Sequence, residues 1–241
     1  MKINQPSLLL AFLSYGIGVA VALLLAIVAV WADMEATVYG FERLAGGGLH
    51  GFTCPIMMTR NETRTIHLNV SNPTEDRISP SIKTQISTRL VPVEFLETFA
   101  LAPGESKELE WQVGPQNIDL GRFIFAKVLL YSAYPLPSQE TTCGIFIVNL
   151  PGDGRVILSV LIALSLVTMG WSVQQLNRSR ASNEWLGKYF GGLIFLAALA
   201  SLGLIISLIG SWILALLMIL LALLTIVILL GSLLLADHGP R

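Results

Sequence analysis

Apolar residues fill three long stretches of the chain and alternate with polar ones between them. The stretches cover residues 8–31, 156–173 and 189–236. A helix rises about 1.5 Å per residue, so about 20 apolar residues cross a hydrocarbon core of roughly 30 Å. The third stretch is too long for one helix. It breaks at Gly210 and Ser211, and Trp212 follows, a residue type favoured at the membrane–water interface. The pattern predicts two helices there, about 190–209 and 212–235, joined by a tight hairpin. The alternative is one helix plus a re-entrant or interfacial segment.

Between the first two stretches the period changes to two. In residues 64–71, Ile66, Leu68 and Val70 point one way and His67 and Asn69 the other, as in a strand with one face on a core. Asn72-Pro73-Thr74 makes a turn. Further strand patterns follow at 78–88, 91–99, 109–113, 121–131 and 143–150, with a Pro-Gly turn inside 101–106. Residues 35–44 fit a short helix or a strand. About seven strands with turn signals every 8–12 residues predict a two-sheet antiparallel sandwich.

Charge changes the picture from elements to sides. Charged residues are 13% of the chain, about half the usual share for a soluble domain. Residues 32–155 hold 14 of the 16 acids and 10 of the 15 bases, an acidic balance that offers nucleic acid no basic field. Lys2, the Arg178, Arg180 and Lys188 group, and Arg241 fall on one side of a four-span topology. Positive residues favour the cytoplasm, so both termini are expected there and the polar segment outside. The first span is read as an uncleaved signal anchor, because its apolar run exceeds a usual signal-peptide core. The expected protein is multi-pass and plasma-membrane bound, with its large domain periplasmic or extracellular.

The Asn72-Pro73-Thr74 turn, followed by Leu101 to Ser106 before another strand, resembles bacterial and archaeal immunoglobulin-like surface modules, the CARDB-like sandwiches among them. The resemblance covers the strand segment and excludes the helices. It implies adhesion, spacing or complex assembly without catalysis. The expected fold is thus an α+β membrane protein: four transmembrane helices with an exoplasmic immunoglobulin-like antiparallel β-sandwich inserted between helices 1 and 2. The expected divisions are a signal anchor (1–31), a juxtamembrane connector (32–53), the sandwich (54–150), helix 2 (151–176), a cytoplasmic loop (177–188), a helical hairpin (189–236) and a cytoplasmic tail (237–241).

Cys54 and Cys143 lie at opposite sequence ends of the strand segment, which suits an exoplasmic disulfide. Closing a loop of that length stabilises by about 4 kcal/mol on chain entropy. Soft ligands near Cys54, namely Met57 and Met58 with His50 and His67, are the alternative, but no Cys-x-x-Cys or Met repeat accompanies them, and Met57 and Met58 read as packing residues. Glu108 and Glu110 share a strand face with Leu109 and Trp111 on the other, the pattern of a solvated sheet face. Trp111 is a core candidate. No hydrolase elbow, Walker sequence, dinucleotide fingerprint or zinc-protease motif occurs. The reading therefore assigns no catalytic residue, cofactor or metal. Asn61, Asn69 and Asn177 each begin an N-glycosylation triplet, the last on the expected cytoplasmic side.

The central parts of the spans lack Asp, Glu, Lys, Arg and His, which argues against a complete proton-coupled transporter. Small residues Ser14 and Gly18 on the first span, and Gly203, Ser207 and Ser211 along the third, mark expected helix-packing faces; Ala197 and Ser201 form another close pair. Trp31, Trp171, Trp185 and Trp212 are expected interface anchors. The expected function is a non-catalytic accessory or scaffold subunit whose sandwich docks other membrane protein subunits. The alternatives are an exoplasmic adhesion module for protein or glycan, with Tyr131 to Gln139 as contact loop, and a non-catalytic component of a transporter or membrane enzyme.

Overall fold

A computed structural model describes residues 5–40, 47–131 and 134–237. Among the described residues four helices, α1 (Gln5–Val38), α2 (Gly154–Ser179), α3 (Glu184–Leu208) and α4 (Trp212–Asp237), flank nine strands that all lie between α1 and α2 in chain order. The chain divides into two compact units: Met1–Val30 with Leu158–Arg241, and Trp31–Ile157.

All four helices are long and apolar enough to cross a membrane, so the protein is a multi-pass membrane protein. The hairpin between α3 and α4 has a local cause. Gly210 takes φ +81°. Its N–H donates to the Ser207 carbonyl at 3.2 Å, and the Ser211 N–H to the Ile206 carbonyl at 3.3 Å. This pair of hydrogen bonds, with glycine in the left-handed region, ends a helix within one residue. Between α2 and α3 the expected loop at 177–188 is almost wholly helical: α2 runs to Ser179 and a 3-10 turn covers Arg180–Ser182.

In the other unit the strands are β1 (Gly47–Gly48), β2 (Phe52–Thr53), β3 (Met57–Thr59), β4 (Arg64–Ser71), β5 (Ser81–Ile86), β6 (Val93–Thr98), β7 (Ser106–Val113), β8 (Phe123–Tyr131) and β9 (Gln139–Val148). They form a six-stranded sheet of order β1-β9-β8-β5-β6, with β3 also on β9, and a three-stranded sheet β2-β4-β7. Both sheets turn apolar residues into one core: Ile66, Leu68, Leu109 and Trp111 from one, Ile82, Ile124, Val128 and Ile145 from the other. The unit is a β-sandwich. It is not purely antiparallel, because β1 and β3 both run parallel to β9. The sequence pattern could not show this, since alternation reports faces and not strand direction.

β8 is buried on both faces along nearly its whole length. Its outward side chains Phe123 and Phe125 lie under Ala32 and Ala36, because α1 continues to Val38 and does not end at Trp31. The expected connector at 32–53 is therefore helix at its start and two short strands at its end. Gly144 makes that docking fit. A Cβ there would lie 2.0 Å from the Ala32 carbonyl oxygen.

Candidate functional site

The first strand of the sandwich switches sheets. β1 and β3 pair successive parts of the same edge of β9, at 139–140 and 146–148, while β2 between them pairs with β4 in the other sheet. Cys54 sits between β2 and β3 and is bonded to Cys143. Cys143 lies mid-strand in β9, not at its start. The disulfide thus fastens the crossing to the strand that both of its ends flank. Met57 and Met58 are buried, as packing residues are.

In the helical unit, Ser14 Oγ and Ser172 Oγ are 2.7 Å apart. Ser165 Oγ donates to the Gly18 carbonyl at 2.8 Å, and the Tyr15 hydroxyl to the Leu193 carbonyl at 2.6 Å. A Cβ on Gly18 would come within 2.6 Å of Met169 and Thr168 side-chain atoms. Ser14 and Gly18 therefore face α2. Their partners Ser165 and Ser172 went unnoticed in the sequence, although they are seven residues apart and so share a helix face. A Cβ on Gly203 would come within 3.3 Å of the Met218 Cβ on α4. Ser207 is buried and donates to its own helix at the Leu204 carbonyl, 2.7 Å away. Ser211 lies in the turn, where its carbonyl accepts from the Ala215 N–H, so it opens α4 and does not extend α3. Ala197 and Ser201 line a shallow groove with Gly170 and Val173.

Of the tryptophans, Trp31 is exposed and donates to Glu35 at 3.1 Å, its ring 5.4 Å from that of Phe123. Trp171 is exposed. Trp212 packs on a cluster containing Ala26, Val30, Ala215 and Ile219. The Trp185 side chain lies outside the described residues, as does His238.

Two polar groupings stand out on the sandwich. One surrounds Glu62, which accepts from the backbone N–H groups of Thr59 and Gly154, each at 2.9 Å, and from Arg64. Arg64 also pairs with Asp153. Burial pushes the Glu62 carboxyl up, but those two N–H groups and the guanidinium together outweigh it and hold the group below its ordinary value. A cavity of about 540 Å³ opens here, lined by Arg60, Asn61, Glu62 and Asp153 among others. The other grouping is on the outer face of the three-stranded sheet. There His67 Nδ1 is 3.2 Å from Glu108 Oε1 and 3.2 Å from Glu110 Oε1.

The β6 edge mixes apolar and acidic residues, with Glu94 and Glu97 among its apolar ones and Glu94 paired with Lys83. β6 ends its sheet and pairs with β5 alone. Val93, Phe95 and Leu96 on it are exposed, Leu96 by 67%, and Leu90 in the preceding turn by 93%. Sequence alternation hid this edge, because an edge strand and a core strand can carry the same residues.

No family model matches the chain, and no curated protein matches it. Among solved structures it is similar to the CARDB domain of a Pyrococcus furiosus protein, with 14% identity over 46% of this chain and 100% of that one, TM-score 0.31. It is also similar to a β-glucosidase from Erythrobacter marinus, with 17% identity over 41% of this chain and a TM-score of 0.27. A Paenibacillus cycloisomaltooligosaccharide glucanotransferase shows 16% identity over 45% of this chain, TM-score 0.31. The chain spans 15% of the length of each of these two enzymes. Superpositions at these scores do not establish a shared fold.

Proposed function

We propose that this chain is a non-catalytic accessory or scaffold subunit of a membrane protein complex, with its sandwich outside the cytoplasm as the docking surface. The exposed edge strand β6 carries the reading. An edge strand offers unpaired backbone N–H and C=O groups, and soluble domains usually protect such edges with charge, proline or a covering element. Here Val93, Phe95 and Leu96 are exposed on it and Leu90 projects beside it, alongside the charged Glu94 and Glu97. Added strands and apolar side chains are standard means of docking on such an edge. The partners are other integral membrane subunits with exoplasmic parts.

The Cys54–Cys143 disulfide supports the exoplasmic side, since disulfides persist in oxidising compartments. The positive residues Arg178, Arg180 and Lys188 support it independently. We read the sandwich as immunoglobulin-type. With β4 to β9 taken as strands B, C, C′, E, F and G, one sheet reads G-F-C-C′ and the other A-B-E.

A photo-crosslinking residue at Leu96 in native membranes tests the proposal. One discrete protein adduct is expected, and Leu96→Lys should abolish co-purification without lowering the unfolding temperature. A chain that leaves mild detergent as a monomer, with no adduct, overturns it. The adhesion reading draws on Tyr134, which is 90% exposed. Capture of a glycan by the protein, lost in Tyr134→Ala, would favour it over docking.

A further inference from the structure

We propose that His67, Glu108 and Glu110 form a binding site for a divalent transition-metal ion of the zinc class on the outer face of the three-stranded sheet. This goes beyond the docking role and does not depend on it, because the site lies on the other sheet from β6.

The backbone ladder places the three residues. His67 is directly opposite Glu110 across the β4–β7 pair, and Glu108 is opposite Asn69, two residues along on the same face. Inward neighbours Ile66, Leu68, Leu109 and Trp111 are buried in the core, so both strands are anchored from beneath. Sites on regular strands hold their donors more narrowly than sites on loops.

The distances suit coordination. His67 Nδ1 is 3.2 Å from one oxygen of each glutamate, and the three donor atoms lie within 4.8 Å of one another. Two ligands each about 2.1 Å from one ion, at an angle of about 100°, are about 3.2 Å apart. The two glutamates are exposed, so rotation of their side chains can bring the wider pair of oxygens onto the same ion.

The imidazole supplies a second observation. Its ring is 39% exposed, yet Nδ1 is shielded from solvent and has no hydrogen-bond partner among the described residues. Nδ1 lies between the two carboxylates, 3.2 Å from an oxygen of each, without an aligned hydrogen bond to either. A shielded polar atom left unpartnered is costly, and a cation at that point would satisfy it. Among the described residues, neither glutamate has a Lys or Arg partner; His67 is the one ion-pair partner of each. Two carboxylates with no Lys or Arg counter-charge favour a cation at that point.

The donor set selects the metal. An imidazole nitrogen with carboxylate oxygens suits zinc, nickel or copper better than calcium or magnesium, which take oxygen alone. Three protein donors leave at least one coordination position open to water or to an outside ligand.

Zinc chloride titrated into the tag-free full chain, stripped with chelator and held in detergent micelles, tests the site by calorimetry. One ion per chain is expected. His67→Ala, and separately the Glu108→Gln/Glu110→Gln pair, should each weaken binding by about tenfold or more, since loss of even an outer partner costs a metal site about that much. His50→Ala should bind as the wild type does. His67→Gln keeps a polar side chain of similar size and should also lose binding, which separates ligation from loss of fold. Unaltered unfolding temperatures without metal show that each variant is folded. Absence of saturable binding by the wild type, equal binding by His67→Ala, or preference for calcium over zinc overturns the proposal.

Discussion

Asn72 shows how much one side chain can carry. It is buried, and its Nδ2 donates to the carbonyls of Asp76, Leu101 and Ala102 at 2.8, 3.2 and 3.1 Å. Its Oδ1 accepts from the Thr74 N–H at 3.0 Å. One amide thus closes its own turn and ties it to the turn 30 residues on. Asn72→Ala removes the bonds that join the two turns, although the three carbonyls keep Thr74 Oγ1, the Ile78 N–H and the Glu105 N–H as donors, so stability should fall by about 2 kcal/mol, read as a lower denaturation midpoint. The sequence revealed Asn72 and Leu101–Ser106 only as two separate turns, because hydrogen bonds between distant turns leave no local period. Glu62 adds a pH dependence. Its folded-state value is depressed, so its contribution is present above the ordinary glutamate value of about 4.3. That contribution is lost as pH falls through the lower folded value. Thermal unfolding from pH 6 down to pH 3 should therefore show a decline that is shallower in Glu62→Gln.

At the scale of elements, close approach decides more than propensity does. A side chain at Gly144 meets Ala32 backbone, so Gly144→Ala must displace the end of α1 from Phe123 and Phe125. The expected loss is about 3 kcal/mol, at the upper end for overpacking, measured by denaturation followed through tryptophan fluorescence. Gly121→Ala is the contrast. Its Cβ meets nothing within 4 Å although φ is +74°, so it should cost about 1 kcal/mol. The disulfide joins elements 89 residues apart. Cys54→Ser/Cys143→Ser should lower stability by about 4 kcal/mol on the chain-entropy account, again measured by denaturation. Spans, hairpin and most strands were legible because their periods are local. The docked end of α1 was not, because Glu35-Ala-Thr-Val suits helix and strand alike. Nor was the sheet-switching first strand, whose two- and three-residue pieces are too short to show any alternation.

For the whole molecule, the arrangement of sides rests on charge and redox chemistry, and it is open to a direct test. Synthesis in the presence of microsomes should add glycan at Asn61 or Asn69 and leave Asn177 bare, visible as a mobility shift removed by endoglycosidase. Modification at Asn177 alone would invert the topology. The four-span architecture was readable from hydropathy, since bilayer thickness sets helix length. The exposed edge at β6 and the His67 cluster were not. Both depend on which strands become neighbours, and His67 and Glu110 are brought together only by the β4–β7 pairing.

The parallel pairs on β9 carry a consequence for how the chain is made. β1 and β3 are synthesised early, but their partner strand is the last of the nine to appear. Until Gln139–Val148 has emerged, the first segments have no edge to join, β8 lacks one neighbour and Cys54 has no mate. Contacts across such long separations form late, because loop closure precedes any gain from pairing. A ribosome that stalls before residue 139 therefore leaves an unclosed domain with a free thiol, already tethered by its first helix. That intermediate is a natural client for chaperones and thiol oxidases.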